Sequence, residues 1–312
     1  MTRMLFYRLF QALLVALFVG ALTFLLMRLL PGDMAYRIAA GRYGYDLVSA
    51  QAAEAVRAEL GLDRPVLAAF AQWIWDIVTL DLGRSLVTGD PVVEELAHQL
   101  GASVLLAFAA VALSLVIGPP LGLWAGRNSG GVGDRALLVA AVVLRALPPF
   151  VLGLLLVLTL SLWLGLLPAA GHGHGEHLFL PALTLALGLA AASSRVARNA
   201  ASEIVAAPFY AFGRLKGLPE GKLFPRHGLR NASVPVVTYL GVQLVMLIEG
   251  VVVVETLFAW PGIGHALVHA IVQRDVPMVQ GTALAMGLLF VLMNAVVDIA
   301  NARLDPRAGV RS

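Results

Sequence analysis

Of the 312 residues, 59% are hydrophobic and only 13% charged. With a mean hydropathy of +0.85, this excludes an ordinary water-soluble domain, whose apolar share is about half. The absence of cysteine excludes disulfides, thiolate metal sites and cysteine nucleophiles. A formal net charge of +3 is small, so the placement of Lys and Arg around apolar segments says more than their sum.

Residues 9–30 form an apolar run able to cross a bilayer, which takes about 20 helical residues. Arg3 and Arg8 precede it. A secretory signal would have a shorter apolar core and a small-residue cleavage site, so this is read as an uncleaved anchor with its N-terminus in the cytosol. A polar insertion follows to about residue 99, with helices expected over 49–60 and 65–78 and with Trp73, Trp75 and Ile77 at the membrane interface. It carries Arg37, Arg42, Arg57, Arg64 and Arg84. Long translocated segments are largely exempt from the positive-inside rule, so the insertion is placed outside.

Further spans are expected at 100–126, 135–167, 179–202, 234–258 and 279–302, making an all-α membrane protein of six spans with both ends in the cytosol. Arg127, Arg135, the basic residues from 195 to 230, and Arg303, Arg307 and Arg311 then fall inside; beyond the insertion, Arg274 alone falls outside. The expected organisation is residues 1–99 as first span plus insertion, 100–303 as a five-helix core, and 304–312 as a cytoplasmic tail. Pro119-Pro120 and Pro148-Pro149 are expected to kink the second and third spans.

Residues 195–235 are the one long basic interval between strongly apolar segments in the second half, and hold both lysines, Lys216 and Lys222. Pro208 suits a helix start, while Gly217 followed by Pro219 marks an end, predicting a helix over 208–216. Phe209, Phe212 and Leu215 recur at i, i+3 and i+6 along one side. Such a helix either lies on the lipid surface or docks into a partner protein.

Neither lysine follows the glycine-rich turn of a P-loop, and no H-E-x-x-H or G-x-S-x-G is present, so an enzyme is not expected. Polar groups inside spans are costly and carry a functional hypothesis by default. Glu249, Glu255, Asn294 and Asp298 are candidates to line a translocation path, with hydrogen bonding between helices as the alternative. Arg145 is placed to snorkel towards the cytoplasmic interface. His172, His174, Glu176 and His177 in GHGHGEH suit nickel or zinc, or form merely a soluble loop.

PGD at 31–33, GLDRP at 61–65, DLGRS at 81–85, LPALTLALG at 180–188, RHGLRNASVPVVT at 226–238, VVETLFAWPGIG at 253–264, RDVPMVQG at 274–281, Asn294 with Asp298, and LDPR at 304–307 stand in one order along the chain. In these pieces the sequence resembles the permease subunits of bacterial ATP-binding-cassette importers of the dipeptide, oligopeptide and nickel group, over nearly its whole length. The resemblance implies a type I importer permease fold with an extracytoplasmic helical insertion, in the bacterial inner membrane. It implies that 203–219, within the family's "EAA" loop, couples to ATPase subunits through Glu203, Phe209, Phe212, Arg214, Lys216, Gly217 and Leu218. It also implies a second related permease, two ATPase subunits and an extracytoplasmic solute-binding protein, with ATP and Mg²⁺ held by the ATPases, no cofactor in this chain and no nucleic-acid partner. Family members often read DYVRTARAKGL where this chain reads PFYAFGRLKGL over 208–218, so an acidic start is replaced by proline and an alanine by Gly213. The stretches LPAAGHG and LRNASVP resemble the nickel-type members more than the dipeptide ones. Rival readings are a proton-coupled secondary transporter using Glu249 or Asp298, and a membrane scaffold without transport.

Overall fold

The computed structural model describes residues 2–29, 32–44, 48–60, 65–79 and 81–304; among them the regular structure is helical, joined by turns and loops, with one isolated bridge between Arg84 and Pro91. In chain order the helices are α1 (Thr2–Leu29), α2 (Met34–Tyr43), α3 (Ala50–Leu60), α4 (Val66–Val78), α5 (Val92–Arg127), α6 (Val132–Ala146) and α7 (Pro149–Leu156). They continue with α8 (Glu176–Ala206), α9 (Pro208–Leu215), α10 (Glu220–Leu223), α11 (Leu229–Leu257), α12 (Ile263–Gln273) and α13 (Val276–Leu304). Wider π-helical turns extend α7 over Val157–Trp163 and join α10 to α11 over Phe224–Gly228.

Four helical stretches are long and apolar enough to cross a membrane: Tyr7–Leu26, Val92–Arg127, Glu176–Ala206 and Val276–Ala295. Val132–Ala146 with Pro149–Trp163 makes a fifth if counted as one span, bent by 106°. The remaining expected span coincides with α11, whose side chains at 242, 244–246 and 248–250 lie outside the described residues. The expected kink at Pro148-Pro149 is a break. Neither proline has an N–H to continue α6, and a residue before proline is pushed to extended backbone; Leu147 sits at φ −78°, ψ 127°. At Pro119-Pro120, by contrast, α5 remains one helix. Gly118 ahead of that pair has no Cβ to collide with the first ring.

The chain divides into two compact units, residues 1–103 with 261–292, and residues 104–260 with 293–312. In the first, α3 and α4 form as expected, and α2 and α12 are additional helices that the sequence reading missed. Asp33 caps α2 by accepting from the Ala35 amide, and pairs with Arg57 at 2.7 Å. Ile38 and Ala39 of α2 bury against Ala53 and Val56 of α3. Val92 and Leu96 pack with Ile263, Ala270 and Met278. Trp73 stacks on Phe70 beside Phe24 of α1 and is buried there, whereas Trp75 stays exposed; Ile77 lies outside the residues with described side chains.

Three family stretches meet in this unit. Asp275, 2% exposed, accepts from the Ser85 hydroxyl and from the amides of Leu86 at 3.1 Å and Val87 at 3.4 Å, and caps α13 at Met278. Buried Arg274, in the left-handed region at φ 58°, donates to the Gly32 carbonyl at 3.3 Å. PGD, DLGRS and RDVP thus hold one another.

In the second unit α8 is central, packed by α6, α7 and α11. Gly118, Gly122 and Gly126 of α5 face it one turn apart: a Cβ at Gly118 would lie 2.7 Å from the Ala190 carbonyl, and one at Gly126 2.7 Å from the Ala201 Cβ. Small residues at i, i+4 and i+8 let two helix backbones approach closely, as membrane helix pairs require.

Candidate functional site

The polar loop between α8 and α11 is a compact built element. Helix α9 spans Pro208–Leu215, with proline at its first position and one residue short of the predicted end. It closes in a Schellman motif: the Leu218 amide donates to the Gly213 carbonyl at 3.2 Å and the Gly217 amide to Arg214 at 2.9 Å, with Gly217 at φ 79°. A residue with a Cβ pays steric strain there, which gives Gly217 a structural reason to be glycine.

The two faces of α9 differ sharply. Tyr210 is fully buried against Ala201, Leu223 and Phe224, and Gly213 is buried beside Leu223, whose Cδ1 would lie 2.5 Å from an added Cβ. The replacement of the family's alanine by Gly213 thus permits close packing on α10. Opposite, Phe209, Phe212 and Leu215 are 48%, 57% and 86% exposed. The expected apolar face exists, and among the described residues nothing covers it. Lys216 lies 4.6 Å from the Phe212 ring centroid, close enough for a cation–π contact at the edge of that face.

What fixes the helix's rotation was not anticipated from sequence. The Tyr210 hydroxyl donates to Glu220 at 2.6 Å and Arg214 Nε donates to the same carboxylate at 2.5 Å. These two bonds, the tyrosine's first, hold the Glu220 carboxyl below its ordinary 4.5, while burial followed by the Glu220 bond pushes Tyr210 up to about 12. Glu220 thus clips α9 from the far side of the turn. The signal in sequence is an acidic residue just after Gly217-Leu218-Pro219, at the start of a short helix.

The loop is also anchored at its base. Arg127 sits 4.9 Å over the Phe224 ring, Ser129 and Ser202 hydroxyls are 3.0 Å apart, and Arg198 of α8 makes a two-pronged bond to Asp134 at 2.8 and 2.7 Å. Asp134 is 2% exposed and accepts also from the Gly130 amide. A planar guanidinium matched to a carboxylate fixes orientation as well as charge.

Of the expected coupling residues, Phe209, Phe212, Arg214, Lys216, Gly217 and Leu218 lie in this one element, and Glu203 stands exposed near the end of α8. The translocation candidates are more dispersed. Glu255 is fully buried near the end of α11, and Asn294 is partly exposed on α13. Glu249 and Asp298 are helical, but their side chains lie outside the described residues. Among the described residues no three His, Cys, Asp or Glu groups, those of the His-rich loop included, are placed together to hold an ion. His174 and His177 rings are 5.8 Å apart, but Glu176 and His177 are consecutive residues of α8 and so point about 100° apart, while His172 stays exposed on the approach.

Comparison with known proteins bears on the whole chain. Residues 118–310 match the family described as "Binding-protein-dependent transport system inner membrane component", and residues 1–107 match its N-terminal membrane component. A putative peptide transport system permease protein of Brucella abortus is 38% identical over 98% of this chain and 99% of its own length. Glutathione transport system permease proteins of Escherichia coli K12 and Pectobacterium atrosepticum are 36% and 37% identical, covering 92% and 93% of each chain. The chain belongs to the binding-protein-dependent transport system inner-membrane family: it is a multi-pass permease subunit of an ATP-driven importer in the cytoplasmic membrane, and ATP hydrolysis resides in partner subunits.

Proposed function

We propose that this permease pairs with a second, related permease, stands on two ATPase subunits that hold ATP and Mg²⁺, and receives a small peptide-type solute from an extracytoplasmic binding protein. The observation that carries the coupling part is the uncovered Phe209, Phe212 and Leu215 face on a helix whose rotation is fixed by Tyr210, Glu220 and the Gly217 turn. A face so held and so apolar fits a groove on a protein partner, where a few large side chains supply most of the binding energy. Both termini and α9 lie in the cytosol in this reading, and the insertion containing α2, α3 and α4 lies outside. The peptide-type cargo rests on relatives named for peptide and glutathione transport. The leaning towards nickel finds no support in the arrangement of His172, His174 and His177. Family membership likewise leaves the proton-coupled reading through Glu249 or Asp298 without support.

The reading is tested in membrane vesicles holding the full complex. Peptide uptake is expected to require ATP and to survive collapse of the proton gradient; uptake that persists without the ATPase subunits and stops with the gradient would restore the secondary transporter. Orientation is tested by single cysteines in this cysteine-free chain. Cysteine at Gly41, His174 or Gly264 should react from outside intact cells, and cysteine at Lys216 or at Arg307, which lies outside the described residues, should not. Outside labelling at Lys216 would overturn the orientation.

A further inference from the structure

Four arginines stand on helices α6 and α8: Arg135 in the first turn of α6, then Arg145, Arg195 and Arg198. Arg198 is neutralised by Asp134 at 2.7 Å. Among the described residues, no acidic side chain pairs with Arg145 or Arg195. A guanidinium cannot shed its charge, so an unpaired one on a membrane span is costly unless it borders water or an anion.

Both arginines border space. A cavity of about 310 Å³ opens where α6 breaks from α7, lined by Arg145, Pro148, Thr184, Gly188, Gln243 and Leu247. A second cavity, of about 240 Å³, is lined by Arg145, Arg195, Asn199 and Tyr239. Arg145 belongs to both. Along α8 the lining residues Thr184, Gly188, Ala191, Arg195 and Asn199 recur every three or four positions, so the two cavities follow one face of that helix for roughly 22 Å at 1.5 Å per residue.

Two further features mark this track as polar by construction. Gln243 is 5% exposed and lines the first cavity, so an amide stands on its wall. An amide on a cavity wall offers both a donor and an acceptor to a polar group of a ligand. At the break, Pro148 and Pro149 lack the N–H groups that the carbonyls of Leu144 and Arg145 would otherwise accept from. Broken helix backbone at membrane depth is tolerated where it lines a cavity.

We propose that this track is the permease's own binding path for a solute bearing a carboxylate, with Arg145 and then Arg195 holding the carboxylate and Gln243 an amide of the same solute. The first cavity is at the small end of the ~300–1,000 Å³ of ligand pockets, matching a di- or tripeptide rather than a long chain. The assignment rests on the importer reading above and gives the permease a specificity of its own.

The test uses the full complex in proteoliposomes and one dipeptide supplied as free acid and as C-terminal amide. The binding protein is the same throughout, so a change in the acid-to-amide uptake ratio belongs to the permease. For Arg145→Gln with Arg195→Gln the ratio is expected to fall about tenfold, and Arg145→Lys with Arg195→Lys should restore most of it. An unchanged ratio overturns the proposal. So does release of the partner permease by the glutamine variant, which would assign the arginines to an acidic group of that subunit. A ratio that follows the phosphatidylglycerol content of the vesicle instead would assign them to lipid phosphate. A second readout needs no ATP: the same acid carrying a diazirine should label α6 and α8 of the purified complex, and the glutamine variant should lose at least fivefold of that label. Labelling intact in a complex without ATP-driven uptake would sink the importer reading and leave this site standing; labelling elsewhere would sink the site.

Discussion

Two polar regions of this chain are built around a buried anchor, and they treat apolar surface in opposite ways. Around Asp275, the Ser85 hydroxyl, the Leu86 and Val87 amides and the α13 cap all point inward, and neighbouring Val92, Ile263 and Met278 are buried. Around Tyr210 the anchor points inward and bonds the half-exposed Glu220, but its neighbours on the same helix turn outward, leaving Phe209, Phe212 and Leu215 uncovered. The first region closes on itself. The second uses its anchor to hold an apolar face outward, the arrangement that the proposed docking requires.

The contrast is sharpest if each anchor is removed. Asp275→Ala strips several buried donors of their acceptor at once and should destabilise its unit by about 3 kcal/mol or more, read as a large fall in the thermal unfolding temperature of the purified permease. A variant that unfolds like the parent would show that the knot is not structural. Gly122→Val drives a branched side chain into the Ser194 carbonyl on α8 and should cost about 2 kcal/mol or more in the other unit. Loss of yield from the membrane is the expected sign, with Gly122→Ala milder.

Tyr210→Phe should behave differently from both. It keeps the ring in its pocket and removes only the hydrogen bond to Glu220, so the permease should remain folded while ATPase retention weakens several-fold, a change of about 1 kcal/mol. Thermal unfolding shifted as far as in Asp275→Ala would erase the contrast. The smallest effect concerns pH. Glu220 has a lowered pKa in the fold, so its contribution is fully present above about 4.5 and is lost as pH falls through the lower folded value; Tyr210, raised to about 12, contributes below 10 and loses it on the way to 12. Coupling should therefore be flat between pH 6 and 8. Half of the Glu220 side chain is exposed, so the acid effect should be modest. A steep change near pH 7 would point to another group.

Much of this was legible in the sequence because it rests on local rules. Apolar length gave α1, α5, α8 and α13, and Pro208 with Gly217 gave α9 to within a residue. The three-residue spacing of Phe209, Phe212 and Leu215 gave the exposed face. What escaped depends on contacts distant in sequence or on competing local signals. The bonds of Asp275 to Ser85 and of Arg198 to Asp134 join residues that no periodicity relates. The break at Pro148-Pro149 and the continuity at Pro119-Pro120 differ because Leu147 and Gly118 precede them. Arg145 was read as a side chain reaching for the interface, whereas the structure sets it at the junction of two cavities. His172, His174, Glu176 and His177 were close in sequence, but the start of α8 separates their directions.

The central claim is that α9 is a docking element whose energy lies in its uncovered face. Each of Phe209 and Phe212 is expected to contribute about 1.5–3 kcal/mol when buried in a groove, so the double variant Phe209→Ala with Phe212→Ala should remove most of the docking energy. Co-purification of ATPase subunits with the detergent-solubilised permease pair measures this directly. The account predicts an inserted, paired permease that has lost its ATPases. ATPases retained at full yield, with ATP turnover still stimulated by loaded binding protein, would contradict it.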